Sequence, residues 1–308
     1  MKGLTEMSDK ELLDRLRAKK SVQMILKKIM FITGLGSIVS LVFIPVVYNS
    51  DGKWYIPLVV MVGFMLLTFL IWTYVNHVET ELEQELGTDF IERILSERVE
   101  LLDYQPFKTM SYNQLKHSKL FGTYDNVKGA DYFKAVYNGV AFEYCDAVLT
   151  SEGIDSGNVK SSYTEFEGGV MTIQIPHQIK GTVIVREKGS SKTFEKIENS
   201  VAPSGMIDII TGDEEFDSKF RVEVSEPGEE KNILTPAFIN RLSGLGNDIA
   251  GRLFVSVQED GITVAISKGG DRFDIPPVHK MKDPDKFKDM YRAQLKELLD
   301  IVNAFTPV

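Results

Sequence analysis

Residues 46–57 read VVYNSDGKWYIP, a short polar link between two long runs without charge. Working outward, residues 29–48 (IMFITGLGSIVSLVFIPVVY) and 54–75 (WYIPLVVMVGFMLLTFLIWTYV) contain no Asp, Glu, Lys, Arg or His. At about 1.5 Å of rise per residue each run reaches roughly 30 Å, the thickness of a bilayer's hydrocarbon core. A core helix of a soluble protein would keep a polar stripe toward water, whereas these runs are apolar on every face. Tyr48, Trp54 and Tyr55 mark one end, and Trp72 and Tyr74 the other, as an aromatic belt requires. The first run is too long for a signal-peptide core and lacks a small-residue cleavage site. Both runs are therefore expected to be retained spans of a transmembrane hairpin.

Charge sets the expected orientation. Residues 1–28 carry eight Lys/Arg against four Asp/Glu, the link carries only Lys53 beside Asp51, and the chain totals −9. The region after the second span therefore holds −13. The positive-inside bias places both termini in the cytoplasm, with residues 49–53 as an external turn signalled by Asp51-Gly52. An acidic domain is repelled by phosphate, which excludes a nucleic-acid partner, while the basic N-terminal segment is drawn to an anionic leaflet. Cys145 alone can form no internal disulfide and reads as a small packed side chain in a strand.

Four regions are expected. Residues 1–28 form a basic juxtamembrane helix, with Ser8 and Glu11 as a capping box. The hairpin occupies 29–75, and the small side chains Thr33, Gly36, Ser37 and Ser40 pack on the second span around Gly63. Self-association through that face is the alternative, so a homo-oligomer stays open. Residues 76–105 form a helical stalk: Glu79, Glu81, Glu83 and Glu85 crowd one another, Gly87 breaks the helix, and a second helix over 90–102 ends before Pro106.

Residues 106–308 form a cytoplasmic α+β domain. Short β-prone runs (FKAVYNG, VAFEYCDAVLT, GVMTIQI, GTVIVRE, GMIDII, FDSKFRVEV, RLFVSVQE, ITVAIS) follow one another with few helices between them, which favours an antiparallel sheet. Asp260-Gly261 is expected to turn the last hairpin. Thr235-Pro236 starts one helix. Pro284 starts the last, whose Phe287, Tyr291, Leu295, Leu298, Val302 and Phe305 form a sheet-facing stripe. Strands closed by a C-terminal helix suggest a PH-like roll in outline.

Chemistry is sparse. The glycines of SGLGND (243–248) follow a helix, lack GK[ST] and read as a C-cap rather than a phosphate loop. His77, His117, His177 and His279 are far apart and form no metal-ligand pair. The acids of TGDEEFD (211–217) lack calcium-loop spacing and read as a solvated turn, and SEPGEE (225–230) as a Pro-Gly turn. Ser118-Lys119, taken as strand neighbours, face opposite ways and make no nucleophile pair. No catalytic, cofactor-binding or metal residue is assigned, and no cofactor is expected.

Several runs, in order, carry a resemblance: YNQLKHSKLF (112–121), Gly129, YTEFEGGVMTIQIP (163–176), FDSKFRVEV (216–224), NILTPAFINRL (232–242) and RFDIP (272–276). The chain resembles the bacterial two-span family of unknown function DUF3137. The resemblance implies an architecture and no activity. The expected role is a membrane-anchored binding or scaffold module, with the lipid bilayer and a protein as partners. An enzyme with a site assembled from scattered residues and an accessory subunit of a transport complex are the alternatives.

Overall fold

The computed structural model describes residues 9–49, 53, 55–86, 90–154, 160–175, 180–189, 205–268, 273 and 283–306. It divides into two compact units, Met1–Phe90 with Ile275–Lys288, and Ile91–Asp274 with Asp289–Val308.

The first unit is built on α1 (Asp9–Asn49) and α2 (Tyr55–Leu86). α1 runs unbroken from the basic segment into the first apolar run, so residues 9–28 are not a separate helix. Likewise α2 carries straight through the apolar run into the acidic segment and stops at Leu86, before Gly87. The two helices pack along a heptad seam. On α1, Leu16, Gln23, Thr33 and Ser40 are buried, all on one 3-4 register. On α2, Phe64, Thr68, Ile71, Val75 and Val78 follow the same spacing, and the last two are buried.

At its centre the Thr68 hydroxyl donates to Thr33 Oγ1 at 2.8 Å, and a Cβ on Gly36 would stand 3.2 Å from the Phe64 ring. The small residues of the first span thus pack within the chain, as expected, but against Phe64. Gly63 has open space at its Cβ position and lies off the seam.

The second unit carries a nine-stranded sheet in the order β1-β2-β3-β4-β9-β8-β5-β7-β6. Its strands are β1 (Glu100–Gln105), β2 (Asn126–Tyr137), β3 (Val140–Ile154), β4 (Lys160–Ile173), β5 (Val183–Glu187), β6 (Ile207–Ile209), β7 (Phe220–Val224), β8 (Arg252–Gln258) and β9 (Gly261–Ser267). Every pairing among the described strands is antiparallel, as the shortage of intervening helices predicts. Helices α3 (Glu92–Ser96), α4 (Tyr112–His117), α5 (Glu214–Lys219), α6 (Glu230–Ile233), α7 (Pro236–Asp248) and α8 (Pro284–Phe305) flank it, giving an α+β fold.

Alternation of side chains gives the sheet two buried faces. On one, Cys145, Ala147, Val170, Ala265, Phe254 and Ile184 form a cluster with Met110, Leu115, Leu120 and Tyr124, so residues 110–124 are its cover. On the other, Tyr144 meets Phe273 at 6.4 Å, and Phe273 stacks on Tyr291 of α8 at 6.2 Å. The expected α8 stripe is buried along its length, from Phe287 through Phe305. α7 starts as read: Thr235 Oγ1 accepts from the Phe238 amide and Pro236 opens the first turn.

Local expectations fail where a tertiary partner outweighs the local pattern. The helix expected over 90–102 stops at Ser96, because residues 100–105 pair with β2, Glu100 opposite Val136 and Gln105 opposite Tyr132. FDSKFRVEV is not one strand. Asp213 caps α5 by accepting from the Phe216 amide, and the helical turn stacks Phe216 on Phe220 at 4.9 Å before β7 begins.

The glycines of SGLGND lie inside α7, which ends at Asp248. A Cβ on Gly246 would come within 3.1 Å of the Phe220 ring, so this glycine serves close packing rather than a cap. In the last hairpin the turn residues are Glu259 and Asp260, one earlier than read. Gly261 opens β9, where a Cβ would lie 2.4 Å from the Ile173 carbonyl oxygen.

Gly129 is explained in the same way: a Cβ there would fall 2.0 Å from the Asp146 carbonyl oxygen and 2.9 Å from Thr109 Oγ1. Backbone cannot move aside as a side chain can, so Gly129→Ala should destabilise the sheet by about 1–3 kcal/mol through overpacking. Urea unfolding of the purified chain followed by tyrosine fluorescence would show it. An unchanged midpoint would refute this account of Gly129.

Candidate functional site

The chemistry-bearing side chains fall into separate groups, one on the hairpin and the rest on the sheet. On the hairpin, the most apolar window of α1 is 11% buried and that of α2 0%. Phe31, Ile32, Leu66, Phe69 and Leu70 are all exposed. An apolar surface of this extent is the signature of a lipid or protein contact, and both helices are long enough to cross a bilayer.

Beyond the apolar runs the helices exchange charge. Lys19 Nζ meets Glu81 at 3.1 Å, Lys27 Nζ meets Glu79 at 3.1 Å, and His77 lies 3.2 Å from Glu81. Expected as a self-repelling acidic stretch and a free basic one, these segments pair with each other once the hairpin sets them side by side. Each exposed pair adds under about 1 kcal/mol and acts mainly on helix register.

In the sheet, one rank of register partners crosses every strand: Asp103, Lys134, Glu143, Thr172, Thr263, Ser256, Ile184, Glu223 and Asp208. All but Ile184 are polar. Toward the β1 end, Glu143 accepts from Tyr132 at 3.0 Å and from Gln114 of the cover at 3.1 Å, and pairs with Lys134 at 2.9 Å. Toward the β6 end, buried Glu223 pairs with Arg186 at 2.9 Å and Arg221 at 3.4 Å, and Arg221 reaches Asp208 at 2.8 Å.

Arg186 then clamps the cover. Its Nη1 donates to the Leu120 carbonyl at 2.5 Å and its Nη2 to the Lys119 carbonyl at 3.2 Å. Lys119 is held at φ +56°, and its ammonium donates to Thr182 Oγ1 at 3.1 Å. Gln258 Nε2 donates to the His117 carbonyl at 2.9 Å. At the other end Ser111 and Gln114 close a capping box on α4. Ser118 and Lys119 therefore sit at a helix end rather than on a strand. The Ser118 hydroxyl donates to the Leu115 carbonyl at 2.6 Å, so the pair supplies no nucleophile.

The other candidates are likewise engaged. Asp213 and Asp217 are caps of the 211–217 loop, Asp217 accepting from the Thr211 amide and hydroxyl and the Gly212 amide. That loop is ordered by its acids, not merely solvated. In 225–230, Ser225 Oγ accepts from the Thr182 amide and Glu230 from the Gly228 amide. His117 lies 3.2 Å from Asp260 on the surface. His177 and His279 lie outside the described residues, as does most of RFDIP.

Buried Asp131 and Asp146 accept from Tyr104 and Tyr144 respectively. Among the described residues no three His, Cys, Asp or Glu side chains converge as a metal site. Cys145 is buried, which pushes its thiol up to about 11 even though Thr109 donates to the sulfur.

Sequence reasoning missed Arg186, Glu223, Thr182 and Gln258. A signal was there: in VIVRE and FRVEV, Arg186 follows three apolar residues and Glu223 stands between two valines, charges of opposite sign within strand-like runs.

Residues 164–306 match the model of a family described as "Protein of unknown function (DUF3137)". Over these residues the family matched is the one expected. The DUF3137 match runs from β4 through α8 and leaves out the hairpin, α4 and Gly129. A search of curated proteins gives no match. Among solved structures, the crystal structure of the mycobacterial trehalose monomycolate transport factor A, TtfA, is 12% identical with a TM-score of 0.33, covering 70% of this chain and 94% of that chain.

Two outcomes follow for the sheet. Arg186→Met should release the cover, raising amide exchange across residues 112–121 at least severalfold, and should destabilise the unit by about 3–5 kcal/mol because Glu223 loses its principal partner. Unaltered exchange would show that the clamp does not hold the cover. Cys145 should resist N-ethylmaleimide at pH 8 until the protein unfolds. Because its folded thiol titrates higher than the usual value of 9.0, its contribution to stability is complete below pH 9 and falls away as pH rises toward 11.

Proposed function

We propose that this protein is a membrane-anchored binding module: the hairpin spans the bacterial inner membrane with both termini cytoplasmic, and the α+β unit recruits a protein partner at the cytoplasmic face. The observation that carries the anchor is the exposed apolar surface of α1 and α2, whose backbone polar groups are satisfied within the helices as hydrocarbon demands. Eight basic residues before the first span support the orientation.

A binding role for the α+β unit is favoured by how its polar groups are spent. Among the described residues, Asp213, Asp217 and Glu230, Ser118 and Lys119 at the end of α4, the Arg186–Glu223 pair and the Cys145 thiol serve caps, clamps or packing, which favours an ordered surface for binding. Phe107, Tyr163 and Ile210 are large apolar side chains left exposed on it.

The full chain should stay with membranes through a carbonate wash. A C-terminal green fluorescent reporter should be bright and a C-terminal alkaline phosphatase inactive. The opposite reporter pattern would overturn the topology. Photo-crosslinking residues placed at 107, 163 and 210 in living cells should give a discrete adduct from at least one position, and none from any would overturn the binding role.

A further inference from the structure

β1 and β6 end the nine-stranded sheet, and a further edge opens inside it, on β4. The two outer edges are blunted, β1 by a bulge between Leu101 and Asp103 beside exposed Glu100, β6 by its length of three residues. Bulges, charges and brevity keep a sheet edge from pairing with another chain.

β2 follows β3 only to Thr150, opposite Asn126, and β9 follows β4 only to Gly168, opposite Ser267. Leu149 pairs with Phe166 and Thr150 with Thr164, so Glu165 is the extra residue of a bulge that bends the strand. Beyond it residues 150–154 and 160–164 run on as a two-stranded ribbon, with Ser162, Tyr163 and Thr164 exposed. Two strands alone are marginal in water, and a third is what such a ribbon lacks.

The ribbon has one closed edge and one open one. On the β3 side the Glu152 amide donates to the Asp125 carboxylate at 2.7 Å, and the Thr150 carbonyl accepts from the Asp125 amide at 2.9 Å. These groups point away from β4. Successive residues of a strand send their amides and carbonyls to opposite sides, so Ser151 and Gly153 bond across to their partners Tyr163 and Ser161. The amides and carbonyls of Lys160, Ser162 and Thr164 therefore face outward, with no strand partner among the described residues.

An outward row of this kind takes an extended polypeptide, and pockets for alternate side chains are what select a foreign one. Ser161, Ser162 and Thr164 offer only short hydroxyls. The row is instead complementary to itself. With Ser162 opposite Ser162 of a second copy, Lys160 lies opposite Thr164 and Thr164 opposite Lys160, so every outward residue of both copies joins a doubly bonded pair. A register shifted toward Phe166 would set Lys160 against that residue, which is buried against Phe121. On the other face Ser161 meets Tyr163, and no charge opposes its like.

We propose that β4 pairs with β4 of a second copy, antiparallel about a two-fold axis at Ser162, so that two ribbons become one four-stranded sheet. The pairing lies within the sheet unit and stands apart from the membrane anchor proposed above.

The test uses the full chain purified in mild detergent, with sedimentation followed over a range of concentrations. The unsubstituted chain should dimerise. Thr164 is exposed, so its replacement spares the fold. Thr164→Lys sets a lysine opposite Lys160 twice by symmetry, and Thr164→Glu sets a carboxylate there, so the glutamate variant should self-associate about tenfold more tightly than the lysine variant. Register is read separately with copper phenanthroline as oxidant, since buried Cys145 stays outside the reaction. Ser162→Cys chains, about 5.5 Å apart across the axis, should link to one another, whereas Thr164→Cys chains, about 14 Å apart, should not.

A chain that stays monomeric at every concentration would overturn the proposal. So would lysine and glutamate variants that dimerise equally, which would place the contact elsewhere, or Thr164→Cys chains that link as fast as Ser162→Cys chains. A photo-adduct from residue 163 to a different protein would assign the edge to a foreign strand and overturn it as well.

Discussion

The seam between α1 and α2 is the contact on which the hairpin unit depends. Within hydrocarbon, burying apolar area gains little, so two spans stay together through close packing and a few shared hydrogen bonds. Here that work falls to Gly36 against the Phe64 ring and to the Thr33–Thr68 pair. With the seam set, everything outside it is determined. Large apolar side chains are turned outward, Lys19 and Lys27 arrive opposite Glu81 and Glu79, and the flank between Met30 and Trp72 is left unfilled.

The sheet is organised by a different economy. A polar rank crossing a buried face would be costly if its groups were unmatched, and most are matched: Glu143 by Tyr132, Gln114 and Lys134, and Glu223 by two arginines. The Ser256 hydroxyl is buried without a partner among the described residues, at a cost of about 1–3 kcal/mol. Arg186 links this rank to the chain that covers it by donating to two consecutive carbonyls, so the register of the cover is fixed through backbone rather than side-chain contacts. Such a network specifies one arrangement of sheet and cover more than it adds stability.

The hairpin, the antiparallel sheet and the terminal helix were legible because each is written in a long pattern: absence of charge, short β runs without helices between them, and a stripe from Phe287 to Phe305. The heptad seam was not, since a span that is apolar on all sides gives no contrast by which to read a period. The helix that stops at Ser96 and the strand that follows were hidden because the pairing partner of Leu101 is Ala135, remote in sequence.

Short capping signals were undervalued. Ser111 with Gln114 repeats the spacing read at Ser8 and Glu11, where Ser8 lies outside the described residues, and Asp213 is an ordinary N-cap, yet both Ser111 and Asp213 sit among polar residues that resemble loop. Asn138-Gly139, both at positive φ, turns β2 into β3 and was passed over between two strands already assigned.

β4 ends at Ile173, but its neighbour on the far side is β9, which begins at Gly261. At a synthesis rate of about 5–20 residues per second, the inner edge of β4 waits on the order of ten seconds for its partner to leave the ribosome. During that interval β1 to β4 are a half-sheet with an open rim of unsatisfied amides and carbonyls beside Val170, Met171 and Ile173. Until β9 arrives, that rim is the surface most exposed to mispairing with neighbouring chains.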